Sequence, residues 1–462
     1  MGAGKSTIGA EVARRLGRPL VSTDALVEEA AGTSIERLFA ERGEEAFRAL
    51  EESHALEALA RGRLSVLDLG GGAVLSARTR AALAESAFTV FLDVPVAESW
   101  KRVAGSNRPL AREREAFVEL HARRVNVYEE VADARAQDAD GVVLAAAGAH
   151  VEEGSLERLA ACVPGDGPVE LVVDETVDRL HGARASTALG ERLRGRHVVP
   201  AGERAKTAAV VERLWSSLRV DRGGTLVALG GGATTDVAGF VAATYLRGIA
   251  WVPVPSTLVG QVDAGIGGKV GIDLERGKNL VGAFHWPARA VIDPGLLATL
   301  SEAERANGLA EVVKTGLLAD APLWELDPVE QVRRCAAFKA AICLRDPHDR
   351  GERAQLNLGH TFAHALEAAS GYELAHGRAV ALGLVAALRL SGLGELAEET
   401  ARLLDVRPVR VDREAAWEAL QRDKKAVGGE VRLVLLARPG EPRIGVPLPP
   451  AEVRAALDAL ID

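Results

Sequence analysis

The chain has 462 residues, 48% hydrophobic and 26% charged. That balance suits a globular protein of about two to four domains and argues against wholesale disorder, collagen-like repeats or a membrane protein. Lysine plus arginine number 56 against 65 aspartate plus glutamate, a net charge of −9 that leaves no broad basic footprint for nucleic acid. The three cysteines, Cys162, Cys335 and Cys343, form no CxxC pair, so a reducing cytoplasm is expected. No apolar run approaches the roughly 18 residues of a membrane span.

From Lys5 to about Ala149, helical stretches alternate with β-rich runs at 65–69, 88–93 and 141–144, the pattern of an α/β domain with a parallel sheet. The breaker-rich stretch 162–168 reads as a linker. A second α/β block opens with a strand at 169–173 and continues with strands at 226–229, 251–254 and just before Pro294. Beyond Pro294 the pattern is mostly helical through Arg402. The expected division is a P-loop-type domain over 1–155, a linker over 156–168, a nucleotide-binding α/β domain over 169–297 and a helical domain over 298–462.

Gly2-Ala3-Gly4-Lys5-Ser6-Thr7 carries the end of a phosphate loop. Its backbone N–H groups and helix N-terminus suit phosphates, Lys5 suits the β/γ charge, and Ser6 suits Mg²⁺. In the full motif the first glycine and the feeding strand would fall upstream of Met1, so the natural chain is expected to start earlier. Downstream, Asp24 is expected at the end of a strand, Arg48 on a helix over 43–51, Gly70-Gly71-Gly72 after a strand, Arg108 in a loop, and Arg124 one helical turn before Tyr128. The two arginines suit a small carboxylate, and Asp24 suits substrate hydroxyls.

These motifs in this order resemble shikimate kinase over about residues 1–155. The resemblance implies that Gly2, Ala3, Gly4, Lys5, Ser6 and Thr7 bind ATP phosphates, that Ser6 contacts Mg²⁺, and that Arg108 covers ATP from a lid. Asp24, Arg48, Gly71 and Arg124 would bind shikimate, with Asp24 and Lys5 serving catalysis by positioning and charge neutralisation. One departure stands out. The family usually has Asp-x-Asp where this chain has Ser22-Thr23-Asp24, and Asp68, at the end of a strand, is expected to take over that charge.

In the second block a strand runs into Gly230-Gly231-Gly232-Ala233-Thr234-Thr235-Asp236, a turn suited to a pyrophosphate. His360 and His364 lie four apart on an expected helix, His376 follows, and Glu311 lies on an earlier helix. Three protein ligands with an open fourth position would make a catalytic Zn²⁺ site. Arg247, Lys269, Lys278, Asn279, Lys314, Arg353 and Asn357 add anion-binding groups.

The stretch from about 169 to 440 resembles 3-dehydroquinate synthase, through motifs at 202–206, 230–236, 242–248, 261–263, 267–269, 277–279, 308–314 and 356–364, with Asp423-Lys424-Lys425 beyond. The resemblance implies NAD bound at Glu203, Lys206, Gly230, Gly231, Gly232, Thr234, Asp236, Ser256, Thr257, Lys269 and Lys278. It implies Zn²⁺, or Co²⁺, on Glu311, His360 and His376. His364 becomes a proton-handling residue, and Lys269, Lys314 and Glu311 join it in catalysis. Asp263, Asn279, Lys314, Arg353 and Asn357 would bind the sugar acid phosphate, with Arg247 reaching the phosphate from a neighbouring subunit of a homodimer. Asp349 stands where a glutamate is common.

The expected protein is therefore a fusion enzyme of the shikimate pathway that uses NAD, Zn²⁺, ATP and Mg²⁺, with no nucleic-acid or membrane partner. Two other readings compete: a synthase carrying a degenerate kinase-like module, and a metal-dependent polyol dehydrogenase. The phosphate-binding set disfavours the dehydrogenase.

Overall fold

A computed structural model of the chain describes residues 2–104, 113–275, 277–422 and 431–462. Arg108 and the Asp423-Lys424-Lys425 run lie outside the described residues. The chain forms two compact units, Met1–Ala147 and Gly148–Asp462.

The first unit runs α1 (Lys5–Arg15), β1 (Leu20–Ser22), α2 (Thr23–Ala31), α3 (Ile35–Ala60), β2 (Val66–Asp68), α4 (Ala77–Ser86), β3 (Val90–Leu92), α5 (Val96–Val103), α6 (Arg114–Val131), β4 (Ala134–Ala136) and α7 (Ala139–Ala146). β1 pairs with β2 and β3 with β4, both parallel. β2 and β3 do not pair with each other. A cavity of about 560 Å³ adjoins both, lined by Val66, Leu67, Phe91 and Leu92 together with Ala3 and Lys5.

Local chemistry sets these elements. Ser22 caps α2 by accepting from the Ala25 N–H at 3.4 Å. Gly43, at φ 81° and ψ 173°, kinks α3, so its second half, with Arg48 and Glu51, runs as a separate helical segment. The strand expected at 141–144 is instead part of α7. Its β-branched run is overridden because Asp138 caps the helix, accepting from the Gly141 N–H at 2.9 Å, and Val143 and Leu144 bury on the helical face. Asp24, expected to end a strand, sits in the first turn of α2.

The second unit begins at β5 (Ala149–Val151) and α8 (Leu159–Cys162). A four-stranded parallel sheet follows in the order β7-β6-β8-β9, built from β6 (Val169–Asp174), β7 (Leu193–Val199), β8 (Thr225–Gly230) and β9 (Ala250–Pro255). α9 (Glu175–Val177) and α10 (Ala183–Leu189) lie between β6 and β7, α11 (Ala208–Ser217) between β7 and β8, and α12 (Gly232–Thr244) between β8 and β9. Every residue of β6 and β8 is buried, as in interior strands of a parallel sheet covered on both faces. β10 (Lys269–Leu274) and β11 (Gly277–Phe284) form an antiparallel hairpin, and β12 (Ala290–Ile292) pairs in parallel with β5.

The helical part comprises α13 (Glu302–Ala319), α14 (Pro328–Arg345), α15 (His360–Ala369), α16 (His376–Leu390), α17 (Gly394–Leu403), α18 (Arg413–Arg422), the antiparallel strands β13 (Arg432–Leu436) and β14 (Pro442–Pro447), and α19 (Pro450–Asp458). One apolar core joins α13, α15, α16 and β13.

The expected boundary at 155 differs from the structure, where pairing of β5 with β12 ties the chain to the second unit from Gly148 onward. Much of the expected linker is also core. Leu156, Leu159, Cys162 and Val163 are buried in the cluster beneath β6. No helix among the described residues is long and apolar enough to cross a membrane. All three cysteines are free and buried.

Candidate functional sites

In the first unit, Gly2 (φ 74°) and Gly4 (φ 82°) hold the loop in the left-handed region, and Gly4 leads into α1 with no side chain capping its first N–H groups. A Cβ at Gly2 would lie 2.2 Å from the Ser99 carbonyl oxygen, so the loop tolerates no side chain there. Bare N–H groups at a helix start favour an anion. Ser6, in the first turn, donates from Oγ to Asp68 Oδ2 at 2.6 Å. Asp68 is buried at the end of β2.

The turn Gly70-Gly71-Gly72 gathers the remaining candidates. Gly70 N–H donates to Thr23 Oγ1 at 2.9 Å, and the Gly71 carbonyl accepts from Tyr128 Oη at 2.6 Å and Arg124 Nη1 at 3.4 Å. A Cβ at Gly72 would fall 2.0 Å from Arg48 Nη1, and one at Gly70 would fall 2.9 Å from Asp24 Oδ1. Asp24, Arg48, Gly71 and Arg124 therefore meet around one turn, as the sequence implied. Glu51 was not singled out. It is buried and accepts from Arg48 Nη1 at 2.5 Å. Burial raises its pKa, opposed chiefly by Arg48. The Arg-x-x-Glu spacing on α3 is the signal that marks it.

In the second unit, Gly230 ends β8, Gly231 precedes α12, and the start of α12 again has no side-chain cap. A Cβ on Gly231 would sit 3.2 Å from Thr257 Cγ2, and the Ser256 N–H donates to the Gly230 carbonyl at 2.8 Å. Thr234 donates to Asp174 Oδ2 at 3.4 Å. Ser256 Oγ is buried with no hydrogen-bond partner, a polar atom left for a ligand. Lys206 is buried and donates to Asp236 Oδ2 at 2.8 Å and to Asn279 Oδ1. Burial works against its charge, but Asp236 and Glu203 outweigh it and raise its pKa. Lys278 reaches Glu203 at 3.5 Å. Asn279, expected with the substrate set, thus lies against the Lys206–Asp236 pair.

The histidine candidates converge on Glu311 of α13. His360 opens α15 and His376 opens α16, and their Nε2 atoms stand 3.5 and 3.2 Å from Glu311 Oε1. Donor atoms of the three residues lie within 4.8 Å of one another. One carboxylate and two imidazoles suit Zn²⁺ or a related ion with a position open to substrate. Burial alone would raise the Glu311 pKa, but Lys314, His376 and His360 hold it well below the usual range. Lys314 Nζ pairs with Glu311 Oε2, while Oε1 faces both histidines. Burial and Lys314 push His360 down to about 3. His376 rises to about 10 despite burial, because Glu311 and Glu367 both accept from it. Glu367 lies 3.0 Å from His376 Nδ1 and orients that ring. His364, one turn after His360, is exposed with its ring edge-on to His360 at 5.5 Å.

Lys314 is fully buried, and Arg353, also buried, donates to the Gly267 carbonyl at 3.0 Å. Asn357 ends the short helical segment before α15 and is exposed. Asp263 pairs with Lys339 at 2.5 Å, a buried lysine of α14 that the sequence did not single out among many helical charges. Lys269 contacts Asp349, so the shorter carboxylate still meets its cation. Arg247 stands apart. It is exposed at φ 68°, and no hydrogen bond or ion pair of its side chain occurs among the described residues.

A glycine loop opening a helix in one unit, and a glycine turn beside a Glu-His-His cluster in the other, define a two-domain nucleotide-using enzyme. The comparisons with known proteins make this specific. The shikimate kinase model matches residues 1–152, and the 3-dehydroquinate synthase N-terminal and C-terminal models match 196–307 and 308–426. The 3-dehydroquinate synthase of Bordetella pertussis is 41% identical over 341 residues, covering 67% of this chain and 95% of that protein. That of Symbiobacterium thermophilum is 39% identical over 346 residues, 97% of its length. A solved 2-epi-5-epi-valiolone synthase from Streptomyces hygroscopicus, with NAD⁺ and Zn²⁺ bound, superposes with TM-score 0.60 at 28% identity, covering 68% of this chain and 96% of that one. The chain belongs to the 3-dehydroquinate synthase family and carries a shikimate kinase domain ahead of the synthase, so it is an enzyme of the shikimate pathway with two activities.

Proposed function

We propose that the second unit converts 3-deoxy-D-arabino-heptulosonate 7-phosphate to 3-dehydroquinate and phosphate. The first unit, on the same reading, transfers the γ-phosphoryl group of ATP to shikimate. The observation that carries the synthase assignment is the Glu311-His360-His376 cluster with buried Lys314 against it. When bound, Zn²⁺ and NAD supply polarisation of a ring hydroxyl and a reversible hydride acceptor. Glu311, His360 and His376 would hold the metal, and the Gly230–Gly232 turn, Thr257, Glu203, Lys206, Asp236 and Lys278 would hold NAD. Lys314, Arg353, Asp263 and Asn357 bind and orient the sugar acid phosphate, and Lys269 serves its anionic end. His364 handles a proton at the exposed side of α15. Arg247 completes the phosphate site of a neighbouring copy, which makes the working form a homodimer.

In the kinase unit, Gly2 to Thr7 cradle the phosphates, with Lys5 on the transferring group and Arg108 covering the nucleotide. Arg48 and Arg124 hold the shikimate carboxylate, and Asp24 orients the attacking hydroxyl. Ser6 meets Mg²⁺, and Asp68 supplies the carboxylate behind it that Ser22 does not. Ser22 also favours a second reading, in which the kinase unit binds ligands without turnover.

The test is a paired assay of the purified chain: phosphate release from the sugar acid phosphate without net NADH, and shikimate-dependent ADP formation. Net NADH would reject the synthase assignment. Absence of ADP with an intact synthase would select the second reading.

A further inference from the structure

His360 opens α15 and His376 opens α16, so residues 370–375 join the two helices that carry the imidazoles. This connection is short and bonded back onto the end of α15. Tyr372 N–H donates to the Glu367 carbonyl at 2.7 Å. Ser370 Oγ donates to the same carbonyl at 2.8 Å and accepts from the Leu374 N–H at 3.1 Å. Glu367 is also the residue whose carboxylate meets His376 Nδ1. Tyr372 itself is held at φ 66°, a left-handed conformation that a bulky side chain adopts only when its surroundings impose it.

What the strained backbone places is the ring. Lys278 Nζ, from β11, lies 4.9 Å from the centroid of the Tyr372 ring and 3.5 Å from Glu203 Oε1. The tyrosine is 44% exposed, and no hydrogen bond of its hydroxyl occurs among the described residues, so the ring makes the contact and not the phenol. An aromatic face attracts a cation through its quadrupole and, unlike a carboxylate, does not neutralise it. Tyr372 can therefore fix where the Lys278 ammonium stands and leave its charge for an anionic ligand.

We propose, resting on the assignment of Lys278 and Glu203 to NAD and of His360 and His376 to the metal, that Tyr372 is a positioning residue through which occupation of the metal site strengthens NAD binding. His360 and His376, once they share an ion, fix both ends of the 370–375 connection. Its tip then has less freedom to lose when Lys278 engages the nucleotide, and that smaller loss appears as affinity. By linkage, bound nucleotide strengthens metal binding by the same factor.

NAD affinity of the full chain is measured by calorimetry with and without saturating Zn²⁺, in the unaltered chain, in Tyr372→Phe and in Tyr372→Asn. Phenylalanine keeps the ring, and asparagine tolerates the left-handed backbone without one. Zn²⁺ is expected to lower the NAD Kd by about 5-fold or more in the unaltered chain and in Tyr372→Phe, and to leave it unchanged in Tyr372→Asn. The same Zn²⁺ effect in Tyr372→Asn, or none in an unaltered chain that binds both ligands, overturns the proposal. On a Lys278→Gln background, Tyr372→Asn should change the Kd no further, and a second loss of equal size overturns the route through Lys278. An unaltered chain that fails to bind NAD or Zn²⁺ at all overturns the site assignments, and the proposal with them.

Discussion

Ser6 Oγ donates to Asp68 Oδ2 at 2.6 Å, linking the first turn of α1 to the end of β2. With its proton committed to Asp68, the serine oxygen presents lone pairs to a cation. Asp68→Asn keeps a hydrogen-bonding partner and removes the charge. We expect it to weaken Mg²⁺ binding to the nucleotide complex by about 10- to 100-fold. Mg²⁺ titration of nucleotide binding measures this, and dehydroquinate formation by the second unit should not change. Unchanged Mg²⁺ dependence would remove Asp68 from the site.

Glu311→Gln should empty the metal site and stop the synthase reaction while ADP formation continues. It also leaves Lys314 charged and buried without its partner, a change that costs about 3 to 5 kcal/mol in comparable buried pairs. Metal content by mass spectrometry and denaturant unfolding of the second unit report the two effects separately.

The His376 pKa is raised to about 10, so in metal-free protein its protonated form dominates at pH 8. A raised folded-state value stabilises fully below the unfolded value near 6.5, and that stabilisation is lost as pH rises through about 10. A metal ligand must be neutral, so loading Zn²⁺ at pH 8 should release about one proton per ion. A pH-indicator titration in weak buffer checks it. No release would show that His376 is not a ligand or is already neutral.

Arg48→Lys retains charge but loses the planar fork. The expected result is an increase in the shikimate KM of about 10-fold or more with a smaller change in kcat, read by steady-state kinetics. A change in kcat alone would mean that Arg48 does not hold the substrate carboxylate.

Residues whose chemistry depends on local spacing were legible in the chain. Gly4-Lys5-Ser6 and Gly230-Gly231-Gly232 both proved to open helices, and His360 and Glu311 proved to meet. The run at 141–144 misled because three β-favouring side chains outweigh one aspartate in a local reading, whereas Asp138 as a cap determines the fold. Lys339 and Glu367 were not legible, since on their own helices they look like ordinary solvated charges, and Glu51 was marked only by its spacing from Arg48.

Composition and motif order by themselves determined the class: two α/β blocks and a helical part, a phosphate loop, a nucleotide turn and a set of metal-ligand types. Those are properties of residues close in sequence, where a turn or a helix start demands particular chemistry. Only the tertiary structure decided that the second unit starts at Gly148, that Ser6 donates to Asp68, and that Glu367 backs His376. Each depends on burial and pairing between segments far apart in the chain, where an unpaired charge or backbone group has a cost that no local pattern records.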